Sequence, residues 1–252
     1  GNWNKLESRV EQNMDLILAM FNQHGVKATF FVLGSIAQRY PNIVRSIVSE
    51  GHELASHGTA HLRASNQTPE EFRQDVGDAK RLLEDLGGVA VNGYRAPSFS
   101  FTKQNEWVYD VLREEGYVYS SSVYPVKHDH YGIPDAPRFR YAAGADIIEY
   151  PLSTLKLGSR NLLISGGGYF RLYPYAFTRM AIERFNRVEK QPYIFYLHPW
   201  EIDPEQPRVK EATLKSKFRH YINLSRMEGK LERLLKDYQW DTMKNVYLDG
   251  LA

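Results

Sequence analysis

Hydrophobic residues recur along the chain in two alternating patterns, helical spacing and short continuous runs. The first helix is predicted over about residues 5–23, where apolar positions stand three or four residues apart: Leu6, Val10, Met14, Ile17 and Phe21. His24 and Gly25 end this pattern, and the apolar run 28–33 follows as a buried strand. A helix therefore leads directly into a strand at the start of the chain.

The same alternation continues to the end of the chain. Helix signals are clearest at Thr68, Pro69 and Glu71, where a capping box and a first-turn proline open a helix that ends at Gly87 and Gly88. Further helices are predicted from Pro41 to Gly51 and over 107–115, 175–188 and about 214–238. Strands are predicted at 53–56, 91–95, 117–124, 147–152, 162–165 and 193–197, with a loop at 125–140 and a turn at 166–168.

Repeated strand and helix alternation predicts the α/β class with a parallel sheet. With this many units, a closed or nearly closed (β/α) barrel is favoured over an open sheet. A chain of 252 residues fits one domain of this size, so residues 1–252 are expected to form a single domain with a helical extension at about 205–252.

Composition narrows the function classes. The charges of 32 Lys plus Arg and 30 Asp plus Glu leave only +2, so neither nucleic acid nor an anionic membrane is expected as a partner. The chain has no Cys, which excludes thiol catalysis, Cys-ligated zinc and disulfides. It has no apolar run of about 18 residues, so no transmembrane segment is expected. The lack of Cys does not fix the compartment, because proteins of oxidising compartments can also lack Cys.

Two histidines four residues apart follow the predicted strand 53–56. A helical turn at that spacing would bring the rings of His57 and His61 to one side, where they could chelate a divalent metal. An isolated His-x-x-x-His is a short pattern, and two unrelated surface or core histidines also produce it.

Two further polar residues stand at the ends of predicted strands. His198 ends the run 193–197, and an imidazole at a barrel strand end is well placed for general acid or base catalysis. Arg95 ends the run 91–95, where its guanidinium could hold a carboxylate by a bidentate bond. A structural histidine and a surface ion pair are the alternatives.

The order and spacing of these motifs resemble the polysaccharide deacetylase family, the NodB-homology type of carbohydrate esterase family 4, and more closely its branch associated with bacterial exopolysaccharide gene clusters. The residues that carry the resemblance lie at 27–34, 51–61, 94–98, 131–139, 166–171 and 197–201, and the similarity runs from about residue 5 to 240. The resemblance implies a distorted NodB-type barrel.

The resemblance also implies roles. His57 and His61 would be metal ligands, Arg95 would orient the catalytic carboxylate, and His198 would be the general acid. The substrate-binding residues would be Leu197, which would wall the acetyl pocket, and Tyr131, Tyr169, Arg171 and Trp200. The expected cofactor is Zn²⁺, with Co²⁺, Ni²⁺ or Mn²⁺ as alternatives, because a bound metal polarises an amide carbonyl and activates water.

Two departures from the family pattern affect this interpretation. Nothing before Lys27 matches the aspartate-rich first motif that supplies the base and a third metal ligand in the family. A first strand that carries this motif is therefore expected to have been cut away or left out. Ser120 stands where relatives often carry Asp. The expected activity is metal-dependent N-deacetylation of a polysaccharide or oligosaccharide. A catalytically impaired glycan-binding protein and an amidohydrolase of small non-sugar amides are the alternatives.

Overall fold

The computed structural model describes residues 9–129, 131–144, 146–209 and 213–248. The chain forms two compact units. The sheet unit comprises Lys27–Leu163 and Asp241–Ala252, and the helical unit comprises Gly1–Val26 and Ile164–Trp240. A single domain over 1–252 with an extension at about 205–252 remains a prediction.

The secondary structure follows the predicted alternation. In the described residues the helices are α1 (Val10–Gln23), α2 (Gly34–Arg39), α3 (Pro41–Ser49), α4 (Pro69–Gly87), α5 (Val108–Glu114), α6 (Gly167–Leu172), α7 (Tyr175–Glu189), α8 (Leu214–Tyr221) and α9 (Met227–Asp237). The strands are β1 (Thr29–Val32), β2 (Glu53–Ser56), β3 (Gly93–Tyr94), β4 (Tyr119–Ser120), β5 (Tyr141–Ala143), β6 (Ile147–Glu149), β7 (Thr154–Leu157) and β8 (Arg160–Leu163). No helix in these ranges is long and apolar enough to cross a membrane.

The main sheet of the sheet unit has the strand order β1-β2-β3-β4-β6-β5. Every neighbouring pair is parallel except β5 and β6, and β7 with β8 forms a separate antiparallel hairpin. The α/β class with a mostly parallel sheet is therefore confirmed. The ladders of the described residues do not join β5 to β1, so closure into a barrel and the missing first strand remain predictions.

Local sequence signals explain helix α4 and its packing. The predicted capping box is present, because the Thr68 side chain accepts from the Glu71 backbone while the Glu71 carboxylate accepts from the Thr68 backbone. Gly88 ends the helix in the left-handed conformation. On the inner face, Phe72 is fully buried and meets the ring of Tyr94 edge-on at 5.7 Å between centroids. Helix α4 is thereby fixed to strand β3.

The amino-terminal ends of the strands are tied to the C-terminal segment 241–248. The Met243 backbone N–H donates to the Thr29 hydroxyl at 2.8 Å, and the Lys244 N–H donates to Oε2 of Glu53 at 2.9 Å. The other carboxylate oxygen of Glu53 accepts from the Tyr119 hydroxyl at 2.7 Å. One carboxylate thus connects β2, β4 and the C-terminal segment.

The helical unit departs from the sequence pattern in three places. The predicted turn at 166–168 opens helix α6, because Gly166 is extended and the helix begins at Gly167. Within the described residues, the predicted strand 193–197 takes part in one isolated parallel bridge, between Gly166 and Tyr196. The predicted helix 214–238 is two helices, α8 and α9, because Asn223 adopts a left-handed φ of 52° and donates its side-chain amide to the Arg171 carbonyl at 2.9 Å.

His52 precedes β2, at the opposite end of the strand from His57. Its Nδ1 accepts the Ala28 backbone N–H at 3.2 Å, and burial, reinforced by the charge of Lys27, lowers its pKa to about 4. A neutral ring is therefore built into the amino end of the sheet.

We predict that this ring makes stability depend on pH. The folded-state pKa of His52 lies below the value of 6.5 for an exposed histidine, so its contribution is complete above pH 6.5 and is lost as pH falls towards 4. The amide oxygen of His52→Asn can replace Nδ1 as the acceptor but does not titrate. Between pH 6.5 and 4, the free energy of unfolding of this variant should therefore fall by about 1–3 kcal/mol less than that of the native protein. Urea unfolding between pH 4 and 7 measures it, and parallel curves for the two proteins would contradict the assignment.

Candidate active site

The segment that carries His57 and His61 lies at the carboxyl end of β2. The His57 backbone N–H donates to the Val32 carbonyl at 2.9 Å, which continues the pairing of β1 with β2. The loop then turns over the start of α2, where the Gly34 N–H donates to the Gly58 carbonyl at 2.9 Å. Residues 57–61 form a loop and not a helical turn, so the expected helical geometry is corrected.

Asp75, on helix α4, holds this loop from the other side. Its Oδ1 accepts the backbone N–H of Thr59 at 3.0 Å and that of Ala60 at 3.4 Å, while the Thr59 hydroxyl donates to the Asp75 carbonyl at 2.8 Å. Burial raises the pKa of the Asp75 carboxyl. The sequence reasoning missed this residue, although an acidic residue directly before Val76 on the apolar side of a helix is a detectable signal.

The loop brings the two predicted metal-binding rings together. Their centroids are 5.2 Å apart, with an angle of 71° between the ring planes. His57 Nδ1 lies 2.6 Å from the Arg95 carbonyl oxygen, which can only accept, so Nδ1 carries the proton and Nε2 has the lone pair. A backbone carbonyl is one of the usual outer partners of a metal-binding imidazole. His61 has a left-handed φ of 57°, an uncommon conformation that is frequent at functional sites.

The two imidazole rings of His57 and His61 are of a type that could provide two of the ligands of a transition-metal site. Imidazole nitrogen suits Zn²⁺ and the neighbouring divalent metals. Among the residues that the structure describes, no group of three or more His, Asp or Glu side chains could hold a metal ion. His57 and His61 are thus two neighbouring side chains of a type that could contribute to a metal site.

Arg95 lies at the same edge of the sheet, directly after β3. Its Nε donates to the Ser121 carbonyl at 2.8 Å and its Nη2 donates to the Ser121 hydroxyl at 2.7 Å. The guanidinium carbon stands 4.1 Å from the centroid of the Phe31 ring. The side chain is almost fully buried, and strands β1 and β4 set its direction.

Glu149 is a buried carboxylate that the sequence analysis missed, and it binds the loop that follows β4. Oε1 of Glu149 accepts the backbone N–H groups of Ser122 and Val123 at 2.7 and 2.8 Å. Burial raises the pKa of this carboxyl. Ser120, where relatives often carry Asp, donates its hydroxyl to Ser122 Oγ at 2.8 Å. Position 120 therefore belongs to a polar network that fixes the loop.

In the helical unit, His198 follows the extended segment that ends at half-buried Leu197. The His198 side chain is 49% exposed, and its Nδ1 lies 2.8 Å from Oε1 of Glu201. The Trp200 ring lies nearly parallel to His198, with centroids 5.5 Å apart, and stacks on His220 at 4.1 Å. Burial, reinforced by the charge of Arg171, lowers the pKa of His220.

Arg171, predicted to bind substrate, is buried within the protein. Its Nε donates to Oε2 of Glu201 at 3.1 Å, and Nη1 donates to the carbonyls of His220 and Ile222 at 2.8 and 2.9 Å. Nη2 donates to the Arg219 carbonyl at 3.3 Å. These contacts favour a role in holding Glu201 over direct contact with a sugar.

The predicted aromatic contacts are distributed over both units. Tyr131, in the sheet unit, lies nearly parallel to His128, with centroids 4.0 Å apart, and to Tyr124 at 5.9 Å. Tyr169, in the helical unit, is half-buried and packs against Tyr173. Of the predicted site residues, the structure brings together His57, His61 and Arg95 in the sheet unit, and His198, Trp200 and Arg171 in the helical unit.

Comparison with known proteins gives two family matches that follow each other along the chain. A polysaccharide deacetylase family model matches residues 6–119, and a model for a domain of unknown function, DUF3473, matches residues 121–248.

Individual relatives are similar over parts of the chain. A peptidoglycan-N-acetylglucosamine deacetylase from Bacillus cereus is 38% identical over 32% of this chain, which spans 30% of that relative's length. A chitooligosaccharide deacetylase from Bradyrhizobium is 27% identical over 73% of this chain and 75% of its own length. A solved structure from Mycobacterium smegmatis, proposed to be a polysaccharide deacetylase, shares the fold with a TM-score of 0.62 and 19% identity, over 95% of this chain and 78% of its own.

We predict that Gly58 is required for the histidine loop. A Cβ at this position, where φ is +75°, would lie 2.4 Å from Oδ2 of Asp75, which cannot move without losing its bonds to the loop. Gly88 is a matched control, because its φ is +65° and a Cβ there meets nothing within 4 Å. Gly88→Ala should cost about 1 kcal/mol of unfolding free energy, and Gly58→Ala at least about 1 kcal/mol more. Equal costs in urea unfolding would refute the steric argument.

Proposed function

The chain belongs to the polysaccharide deacetylase family, its residues 121–248 forming a DUF3473 region, and we propose that it removes N-acetyl groups from a glycan by metal-dependent hydrolysis. The observation that carries the proposal is the orientation of His57. The Arg95 carbonyl engages Nδ1, so Nε2 carries the lone pair that would bind a metal, and the ring of His61 lies beside it.

His57 and His61 would hold the metal, with Zn²⁺ preferred and Co²⁺, Ni²⁺ or Mn²⁺ as alternatives. When bound, such a metal polarises the acetyl carbonyl and acidifies the attacking water. The family resemblance assigns the base and a third ligand to aspartates of the first motif. Arg95, which is buried and held by Ser121, would orient the carboxylate of the base through its guanidinium.

His198 would supply the proton that the leaving group needs. When water attacks the amide carbon, the C–N bond breaks and its electron pair passes to the sugar nitrogen. Protonated His198 donates Nε2–H to that nitrogen, so the products are acetate and a neutral amine. Half of the His198 side chain is exposed, which suits contact with a substrate. Leu197 would line the space for the acetyl methyl group.

An N-acetylhexosamine glycan, such as an exopolysaccharide, is the substrate class that we propose. The relatives named above act, by their names, on peptidoglycan N-acetylglucosamine and on chitooligosaccharides. Tyr131, Tyr169 and Trp200 would offer ring faces or edges to sugars. Neither nucleic acid nor a transmembrane segment enters this proposal.

A second candidate is glycan binding without turnover. In its favour, the described residues contain no group of three or more His, Asp or Glu side chains that could hold a metal ion. Two imidazoles alone should bind metal more weakly than the three protein ligands of an ordinary catalytic zinc site. Binding of chitooligosaccharide without acetate release, measured with the protein at its natural length, would favour this candidate over hydrolysis.

We predict that His57→Ala abolishes metal-dependent acetate release from chitooligosaccharides. Loss of one imidazole should weaken Zn²⁺ binding by at least about tenfold, since outer-shell changes alone cost that much. His52→Asn is the matched control. Because His52 lies at the other end of the same strand, this variant should leave acetate release unchanged. Full activity of His57→Ala would disprove the ligand assignment.

We predict that His198→Ala separates proton donation from metal binding. Acetate release should fall about 10²–10⁴-fold, as expected for removal of a general acid, while the Zn²⁺ dissociation constant stays within about twofold. Turnover and metal titration on the same preparation measure both quantities. Loss of bound metal in this variant would show that His198 is a ligand and not the acid.

A further inference from the structure

Glu201 is a buried carboxylate three residues after His198. Glu201 is 1% exposed, whereas the His198 imidazole that it contacts is about half exposed. Oε1 lies 2.8 Å from His198 Nδ1 and accepts the His198 backbone N–H at 3.3 Å. One carboxylate oxygen therefore fixes both the main chain and the ring of the same histidine.

The second oxygen of Glu201 is held from behind by Arg171. Arg171 Nε donates to Oε2 at 3.1 Å, and the two Nη groups are fixed by carbonyls of residues 219, 220 and 222. Space for the carboxylate comes from Gly167, where a Cβ would lie 2.0 Å from Oε2. The carboxylate is consequently unable to rotate away from His198.

We propose that Glu201, anchored by Arg171, is the positioning residue that fixes the tautomer of His198. A carboxylate next to arginine only accepts hydrogen bonds, so it keeps the proton of neutral His198 on Nδ1. Nε2 is then the nitrogen that takes up and donates the transferable proton. The catalytic meaning of this arrangement rests on the proposed deacetylase function, whereas the tautomer itself does not.

Glu201→Gln tests the proposal sharply. Arg171 is permanently charged and its Nε only donates, so the new amide will turn its oxygen towards Arg171 and its NH₂ towards His198, at the cost of the 3.3 Å bond from the His198 backbone N–H. Nδ1 must then accept, and the ring proton moves to Nε2, as in the loss of the correct tautomer when a triad aspartate becomes asparagine. Asp203→Asn is the matched control, because Asp203 is also buried in this turn and pairs with Arg9 at 2.6 Å without a bond to His198.

Long-range ¹H–¹⁵N NMR of the imidazole rings, at a pH where they are neutral, reads the tautomer directly. His198→Gln identifies the His198 signals by their loss. The expected result is Nδ1–H in the native protein and in Asp203→Asn, and Nε2–H in Glu201→Gln. An Nε2–H tautomer in the native protein would overturn the proposal even if Glu201→Gln does not fold. An unchanged Nδ1–H tautomer in folded Glu201→Gln would overturn it too.

Acetate release gives the second measurement. Glu201→Gln should lower kcat by about 100-fold or more with KM within about threefold, because substrate binding does not need the tautomer. Asp203→Asn should stay within about threefold of the native kcat. Equal losses of kcat in both variants would mean that Glu201 has only a structural role and would overturn the proposal. If the native protein releases no acetate, the proposed function fails, while the NMR result still decides the positioning role.

Discussion

The hydrogen bond between His57 Nδ1 and the Arg95 carbonyl is the interaction on which the sheet-unit site depends. It joins the residue after β2 to the residue after β3, and Arg95 in turn donates to Ser121 after β4. These residues are neighbours because parallel strands bring their carboxyl ends to one edge of the sheet. Ring orientation therefore follows from strand register, and Asp75 stabilises the loop between the histidines from helix α4.

His57 and His198 are oriented by the same principle in two different settings. In each case an acceptor engages Nδ1, a backbone carbonyl for His57 and the Glu201 carboxylate for His198. A neutral carbonyl suits an imidazole that is to bind a cation through Nε2. A carboxylate suits an imidazole that must carry a positive charge while it donates a proton. In both rings the acceptor on Nδ1 makes Nε2 the nitrogen that would bind the metal or donate the proton.

Much of the fold could be predicted from the sequence because its signals are local. The capping box at Thr68 and the strand 53–56 are found where predicted. The carboxylates Asp75, Glu149 and Glu201 were missed because their roles come from burial and partners distant along the chain. The break at Asn223 was missed for the same reason, since its amide bonds to the Arg171 carbonyl. Arg171 matched a family block, but only the structure shows that its guanidinium is enclosed.

Anomalous scattering at the zinc edge, from crystals of the protein at its natural length grown with Zn²⁺, tests the central claim most directly. We expect a zinc peak within bonding distance of His57 Nε2 and of a ring nitrogen of His61, with His57 Nδ1 still hydrogen-bonded to the Arg95 carbonyl. Zinc bound through His57 Nδ1, or bound only at other residues, would contradict it.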